Sequence, residues 1–201
     1  MNKLLLIVGF VLITSFSISS EFGQDVQNYL AGDTLKVLEP NEQHPNEANL
    51  IANLLNQYHY HSLTITDSIS SIVFDNYIES IDPNRAYFFE SDLVQFEKFR
   101  YLLDDQIPEG ELQFAYDAFD LYRRRALAQM DEIFSILETE FDFSKDERYE
   151  FDREEASWPK NQKERNEIWR KIIKNQALSY KLAGREWDDI SESLKKRYQR
   201  I

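Results

Sequence analysis

The sequence predicts an all-α protein. Three observations carry that expectation: glycine is scarce, apolar residues recur three and four apart over most of the chain, and helix-stopping signals separate the periodic stretches. Only five glycines occur, at positions 9, 23, 32, 110 and 184. Strands joined by tight turns draw on glycine or Asn-Gly pairs, and such signals are few after residue 33. The expected architecture is six to seven helices in an extended or bowl-like domain, built along one long central helix.

Three regions are expected. Residues 1–20 have the layout of a cleaved secretory leader: Lys3 at the start, an apolar run from Leu4 to Ile13 broken by Gly9, then Ser15, Ser17, Ser19 and Ser20. The run is short for a bilayer span of about 20 residues, which favours cleavage near Ser19 or Ser20 over a retained anchor. No membrane attachment is expected after signal cleavage. Residues 21–45 form a polar lead-in with Gly23, Gly32, Pro40 and Pro45, docking through Leu35, Val37 and Leu38. Residues 46–201 form the helical domain.

Within that domain the first helix is expected over about 46–60, capped by Asn46, with Ile51, Leu54, Leu55 and Tyr58 on its apolar stripe. A second begins near Thr64, where Thr64-x-x-Asp67 has the form of a capping box; its face is Ile69, Ile72, Val73, Tyr77 and Ile81. Asp82-Pro83-Asn84 ends it, because the residue before proline is pushed out of the helical region. A third starts at Ser91 and buries Leu93, Phe96, Phe99 and Leu103. The fourth, about 111–140, would be a rod of roughly 45 Å. An acidic, irregular connector follows. A helix over about 163–183 then stops at Gly184, and the last runs from Trp187 through Ile190 and Leu194 to Tyr198.

Composition excludes several function classes. A 42% hydrophobic share with 14% aromatics can fill a core. The net charge of −13 argues against nucleic acid and anionic lipid, both of which need a basic face. The chain has no cysteine, so it must rest on its core without disulfides.

No residue pattern announces catalysis. His59-x-His61 has the wrong spacing for a helical metal pair, which sits four apart, so a packed or capping pair is favoured. Asp104/Asp105, Glu154/Glu155 and Asp188/Asp189 are adjacent acids and read as solvated faces. Asp142 and Asp146 lack the glycine and spacing of a calcium loop. Arg123-Arg124-Arg125 could grip an anion, but Asp120 lies one turn before Arg124 and favours local pairing. Ser68, Ser70 and Ser71 read as surface or capping residues, and no serine stands in a Gly-x-Ser-x-Gly context. No catalytic, cofactor-binding or metal-binding residue is therefore expected; these residues point to binding or scaffolding.

The order of certain fragments resembles the N-terminal domain of tail-specific proteases, the C-terminal-processing serine peptidases. Tyr58-His59-Tyr60 matches a His-Tyr pair at the end of the opening helix. Residues 70–96 match a serine-led helix, a Leu-Asp-Pro turn (here Ile81-Asp82-Pro83), an aromatic Tyr87-Phe88 and a helix-starting Ser91-Asp92. Trp169-Arg170-Lys171 with Lys174, and Leu194-Lys195-Lys196-Arg197-Tyr198, match a Trp-Arg and a Leu-x-Lys-Arg-Tyr. The likeness covers about 37–201. Physically, Asp82-Pro83 and Ser91 bound a stiff elbow, and Tyr87, Phe88 and Phe89 form a buried wedge more readily than a partner surface.

The resemblance implies a periplasmic enzyme in which this helical domain precedes a PDZ domain and a protease domain with a serine–lysine dyad. Its substrates would be proteins with apolar C-termini, and an adaptor protein could dock on the helices. None of the dyad residues can be carried over, so this chain is expected to be a fragment of the parent, truncated before the PDZ and protease domains. The alternative is a stand-alone secreted helical adaptor without enzymatic activity.

Overall fold

The computed structural model describes residues 35–58 and 66–200. Among them the fold is all-α: seven α-helices, one 3-10 turn and no strand. In chain order these are α1 (His44–Tyr58), α2 (Asp67–Ile81), α3 (Glu90–Phe96), the 3-10 turn Glu97–Phe99, α4 (Leu103–Glu109), α5 (Gln113–Ile136), α6 (Gln162–Leu182) and α7 (Trp187–Tyr198). The expected leader, residues 1–20, lies outside the described residues.

The lead-in docks at two of its three expected points. Leu35 packs against Ala126, Leu127 and Met130, and Leu38 is half-buried, but Val37 is 63% exposed. A backbone contact fixes this strap instead: Arg123 donates to the Lys36 carbonyl at 3.2 Å. The cap of α1 is Asn41, whose side-chain oxygen accepts the N–H groups of Gln43 and His44 at 2.8 and 3.1 Å. Asn46, the expected cap, is exposed inside the helix. The buried line of α1 is also not the leucine stripe. Ala48 and Ala52 are buried while Leu50 and Leu54 are exposed.

Close approach of α1 to α4 explains that preference for alanine. Gly110 closes α4 in the left-handed region at φ +79°, and a Cβ there would stand 2.8 Å from the Pro45 Cβ and 2.9 Å from its carbonyl oxygen. Asn49 reinforces the pair by donating to the Pro108 carbonyl at 2.6 Å. Gly110→Ala should therefore cost about 2–3 kcal/mol, from the left-handed backbone and the clash together. Chemical denaturation would show the lowered midpoint. Gly184→Ala makes the control, with similar φ and nothing within 4 Å of its added Cβ, and should cost less.

On α2 the expected face is rotated. The buried residues are Ser70, Phe74 and Ile78, and Ile72 is exposed. Thr66 precedes the helix in extended backbone; Thr64 lies outside the described residues. Ser70 takes a core position because it caps another element. Its hydroxyl accepts the Leu103 N–H at 2.9 Å and donates to the Arg100 carbonyl at 2.7 Å. This contact starts α4, and it explains why Leu103 belongs to a separate helix rather than to the end of α3. The long helix α5 has 24 residues, about 36 Å rather than the 45 Å expected.

Among the described residues the helices enclose two large cores, linked by a small cluster of Ala126, Leu127 and Met130 that shares Tyr87 with one and Tyr122 with the other. The first is aromatic: Phe74 stacks on Phe114 at 4.9 Å, with Phe96 and Phe99 at 6.0 and 5.6 Å. The second joins the end of α5 to α6 and α7 through Ile133, Leu137, Trp169, Ile173, Ala177, Ile190, Leu194 and Tyr198. Asn161 caps α6 by accepting the Glu164 N–H at 3.1 Å, and Glu164 reaches back to the Lys160 N–H at 2.8 Å. The segment after α2 runs between the cores, giving Phe88 to the first and Ala86 to the second.

Candidate functional site

The strongest concentration of buried polar side chains surrounds that segment. Asp82 is 1% exposed and turns its carboxylate onto the following backbone. One oxygen accepts the Ala86 N–H at 2.9 Å; the other accepts those of Tyr87 and Phe88 at 2.8 and 3.0 Å. Burial pushes the Asp82 carboxyl above its ordinary value, while these three donors and Arg153 pull it back. Arg85 makes the turn possible in the left-handed region at φ +47°. Its side chain is held by the Ala156 carbonyl at 2.8 Å, by Glu79 at 3.3 Å and by the Trp158 ring at 5.5 Å.

Helix α6 grips the same backbone from the other side. Trp169 donates its indole N–H to the Ala86 carbonyl at 2.8 Å, and Arg165 donates to the Tyr87 carbonyl at 3.1 Å. Asp92 accepts the Phe89 N–H at 2.9 Å and takes Arg125 bidentately at 2.9 and 2.7 Å. Asp92, not the exposed Ser91, is thus the side chain that starts α3. Both guanidiniums lie over the Phe89 ring, Arg125 at 4.5 Å and Arg165 at 4.4 Å. Burial first, and Arg125 second, bring Arg165 down to about 10, so it stays charged at neutral pH.

These side chains are committed to backbone groups and to one another. The arrangement fixes two helices and a wedge, and presents no nucleophile paired with a base. Phe88 is fully buried and Phe89 nearly so, which agrees with the wedge read from the sequence.

The other sequence candidates are dispersed. His59 and His61 lie outside the described residues. Asp104/Asp105 and Asp188/Asp189 occupy the first turns of α4 and α7, where acids complement the helix dipole. Asp104 departs from a solvated face, since one of its oxygens is buried without a hydrogen bond. Glu154 and Glu155 are exposed. Asp142 binds the N–H and hydroxyl of Ser144 at 3.0 and 2.6 Å, and among the described residues no three His, Asp or Glu side chains gather as a metal site. The arginine run divides three ways. Arg124 pairs with Asp120 at 2.8 Å as its spacing suggests, Arg123 is buried, and Arg125 reaches Asp92. Among the described residues no helix is long and apolar enough to cross a membrane.

The family described as the tail specific protease N-terminal domain matches residues 51–201. The chain belongs to that family. A relative, the tail-specific protease of Haemophilus influenzae, is 32% identical over 145 residues, which are 72% of this chain and 21% of that protein. The chain therefore spans about a fifth of the relative's length. The Asp82 elbow and Trp169, from which the resemblance was drawn, are buried structural contacts of this tail-specific protease domain.

Sequence reasoning missed Arg165 and the strap formed by the connector. Arg165 carried a signal, since it begins the buried line 165-169-173-177 of α6. The strap did not. Glu147 binds Arg170 at 2.5 Å and also Lys174, while Phe141 meets Trp187 edge-on at 5.6 Å. Hydrogen bonds from Arg170 and Lys174 hold the Glu147 carboxyl down at about 2. A depressed acid contributes stability above its unfolded value, and that contribution is lost as pH falls toward the folded one. The strap should loosen between about pH 4.5 and 2. Glu147→Gln should flatten that part of the thermal stability profile.

Proposed function

We propose that this chain is the non-catalytic helical module of a periplasmic tail-specific serine protease that degrades or trims proteins with apolar C-termini. In this reading residues 1–20 are a cleaved leader, 21–45 a lead-in and 46–201 the module. It helps form the enclosure around the PDZ and protease domains of the same parent protein and offers docking surface to substrates or an adaptor. The match to the family's N-terminal domain over residues 51–201 carries the proposal. Two leucine pairs spaced four apart and left exposed, Leu50/Leu54 on α1 and Leu178/Leu182 on α6, support a role against other domains.

Two measurements test it. The purified chain, incubated with a protein ending in apolar residues, should leave that protein intact. An immunoblot of the source cells' periplasm with antibody to residues 37–201 should show a band several times heavier than 23.9 kDa. Cleavage by the chain alone would overturn the non-catalytic reading. A band only at or just below that mass would overturn the multidomain one and favour the stand-alone adaptor.

A further inference from the structure

Helix α6 and the connector mirror each other in charge. Residues 139–152 carry six acids and two bases, while α6 carries six bases and two acids. Three of those bases, Arg170, Lys174 and Lys181, follow at intervals of four and seven residues and so share one face of the helix. The connector lies along that face. Glu147 binds Arg170 at 2.5 Å and also Lys174, and Glu140 binds Lys181 at 2.6 Å. Between the two acids, the Phe143 ring lies 5.1 Å from the Lys181 ammonium and 5.9 Å from that of Lys174. Phe143 also meets Phe141 edge-on at 6.1 Å, and Phe141 in turn meets Trp187.

Side chains alone make this attachment. Among the described residues no backbone–backbone hydrogen bond joins residues 139–152 to another element. The fastenings stand at the two ends. The Leu137 carbonyl accepts the Ser191 hydroxyl at 2.9 Å, and the Pro159 carbonyl accepts the Glu90 N–H at 3.0 Å. The middle can therefore lift while both ends stay anchored, without breaking any helix. It uncovers a cationic and aromatic groove that reads one pattern: a ring between two carboxylates seven residues apart, as Glu140, Phe143 and Glu147 are. We propose that this face of α6, with Trp187, is a docking groove for an acidic, aromatic-bearing segment of another protein, and that the connector is its built-in occupant. Tethered at both ends, the strap competes at a high effective concentration, so the groove stays closed to a free segment until the strap lifts. The contact needs no catalytic step and does not depend on the proposed protease role.

The test uses the whole chain and a capped peptide of residues 138–150 as the probe, followed by backbone amide chemical shifts. An opened variant carries Glu140→Gln, Phe143→Ala and Glu147→Gln, and circular dichroism checks that its helices remain. The peptide should bind the opened variant saturably at millimolar concentration, with shifts confined to α6 and the start of α7. The unaltered chain should bind it at least tenfold more weakly, because its own strap is in place. Raising the salt should weaken binding, and a peptide with glutamine at both acid positions should not bind. Arg170→Gln with Lys174→Gln, added to the opened variant, should abolish the shifts. If the triple variant does not fold, Glu147→Gln alone should still raise the affinity severalfold over the unaltered chain. No binding to a folded opened variant, equal affinity with the strap intact, or full binding by the glutamine peptide would overturn the proposal.

Discussion

Asp82→Ala is expected to lower the melting temperature by roughly 10 °C, the shift that a loss of about 4 kcal/mol gives in a domain this size. The carboxylate accepts three N–H groups, and two of them, on Ala86 and Phe88, are in buried residues. A buried donor left without an acceptor costs about 1–3 kcal/mol, partly offset by relief of the desolvated charge. Pro83 is exposed, so Pro83→Ala acts only through chain stiffness and should cost under about 1 kcal/mol. Adding it to Asp82→Ala should change little. Acid should not mimic the Asp82 substitution. Burial holds this carboxyl above its ordinary value against the pull of its three N–H donors, so any stability linked to that shift is present at low pH and lost as pH rises. Acid should therefore loosen the Glu147 strap before it disturbs the elbow. A melting change below about 3 °C for Asp82→Ala would count against the elbow as the junction's main fastening.

The elements were legible where one local signal decided them. Asp82-Pro83 stopped α2 after Ile81, Gly184 followed α6, and the start of α7 at Trp187 was read correctly. Misreadings arose where a distant side chain decided. The break between α3 and α4 depends on Ser70, which lies 33 residues before the N–H it caps. The rotated face of α2 has the same cause, because a serine at a core position hides the 70-74-78 line from an apolar count. On α1 the alanines are buried because Gly110 lets α4 approach closely, and that proximity leaves no trace in periodicity. In the elbow, the bidentate pairing of Arg125 with Asp92 was illegible for a similar reason, since the two lie 33 residues apart in the chain.

Trp169→Ala should be as damaging as the loss of Asp82, at about 4 kcal/mol, because it empties a large buried volume and removes a hydrogen bond. The ring touches Tyr87 at 5.0 Å and Tyr198 at 6.0 Å, so one side chain joins the elbow, α6 and α7. Trp169→Phe separates the two contributions. It keeps most of the packing and loses only the donor to the Ala86 carbonyl, so it should cost about 1–2 kcal/mol. The pair with Asp82 is more informative still. Asp82 accepts the N–H of Ala86 and Trp169 donates to its carbonyl, so the two side chains hold one residue from opposite elements. Once either is gone, that residue is freer to move and the other has less to hold. The double variant should therefore lose less than the sum of the singles, by roughly 1 kcal/mol or more. Measured by denaturant unfolding of all four proteins, strict additivity would mean that the elbow and α6 are fastened independently. A coupling of the expected sign would make Ala86 the point through which α2 and α6 fix each other's position.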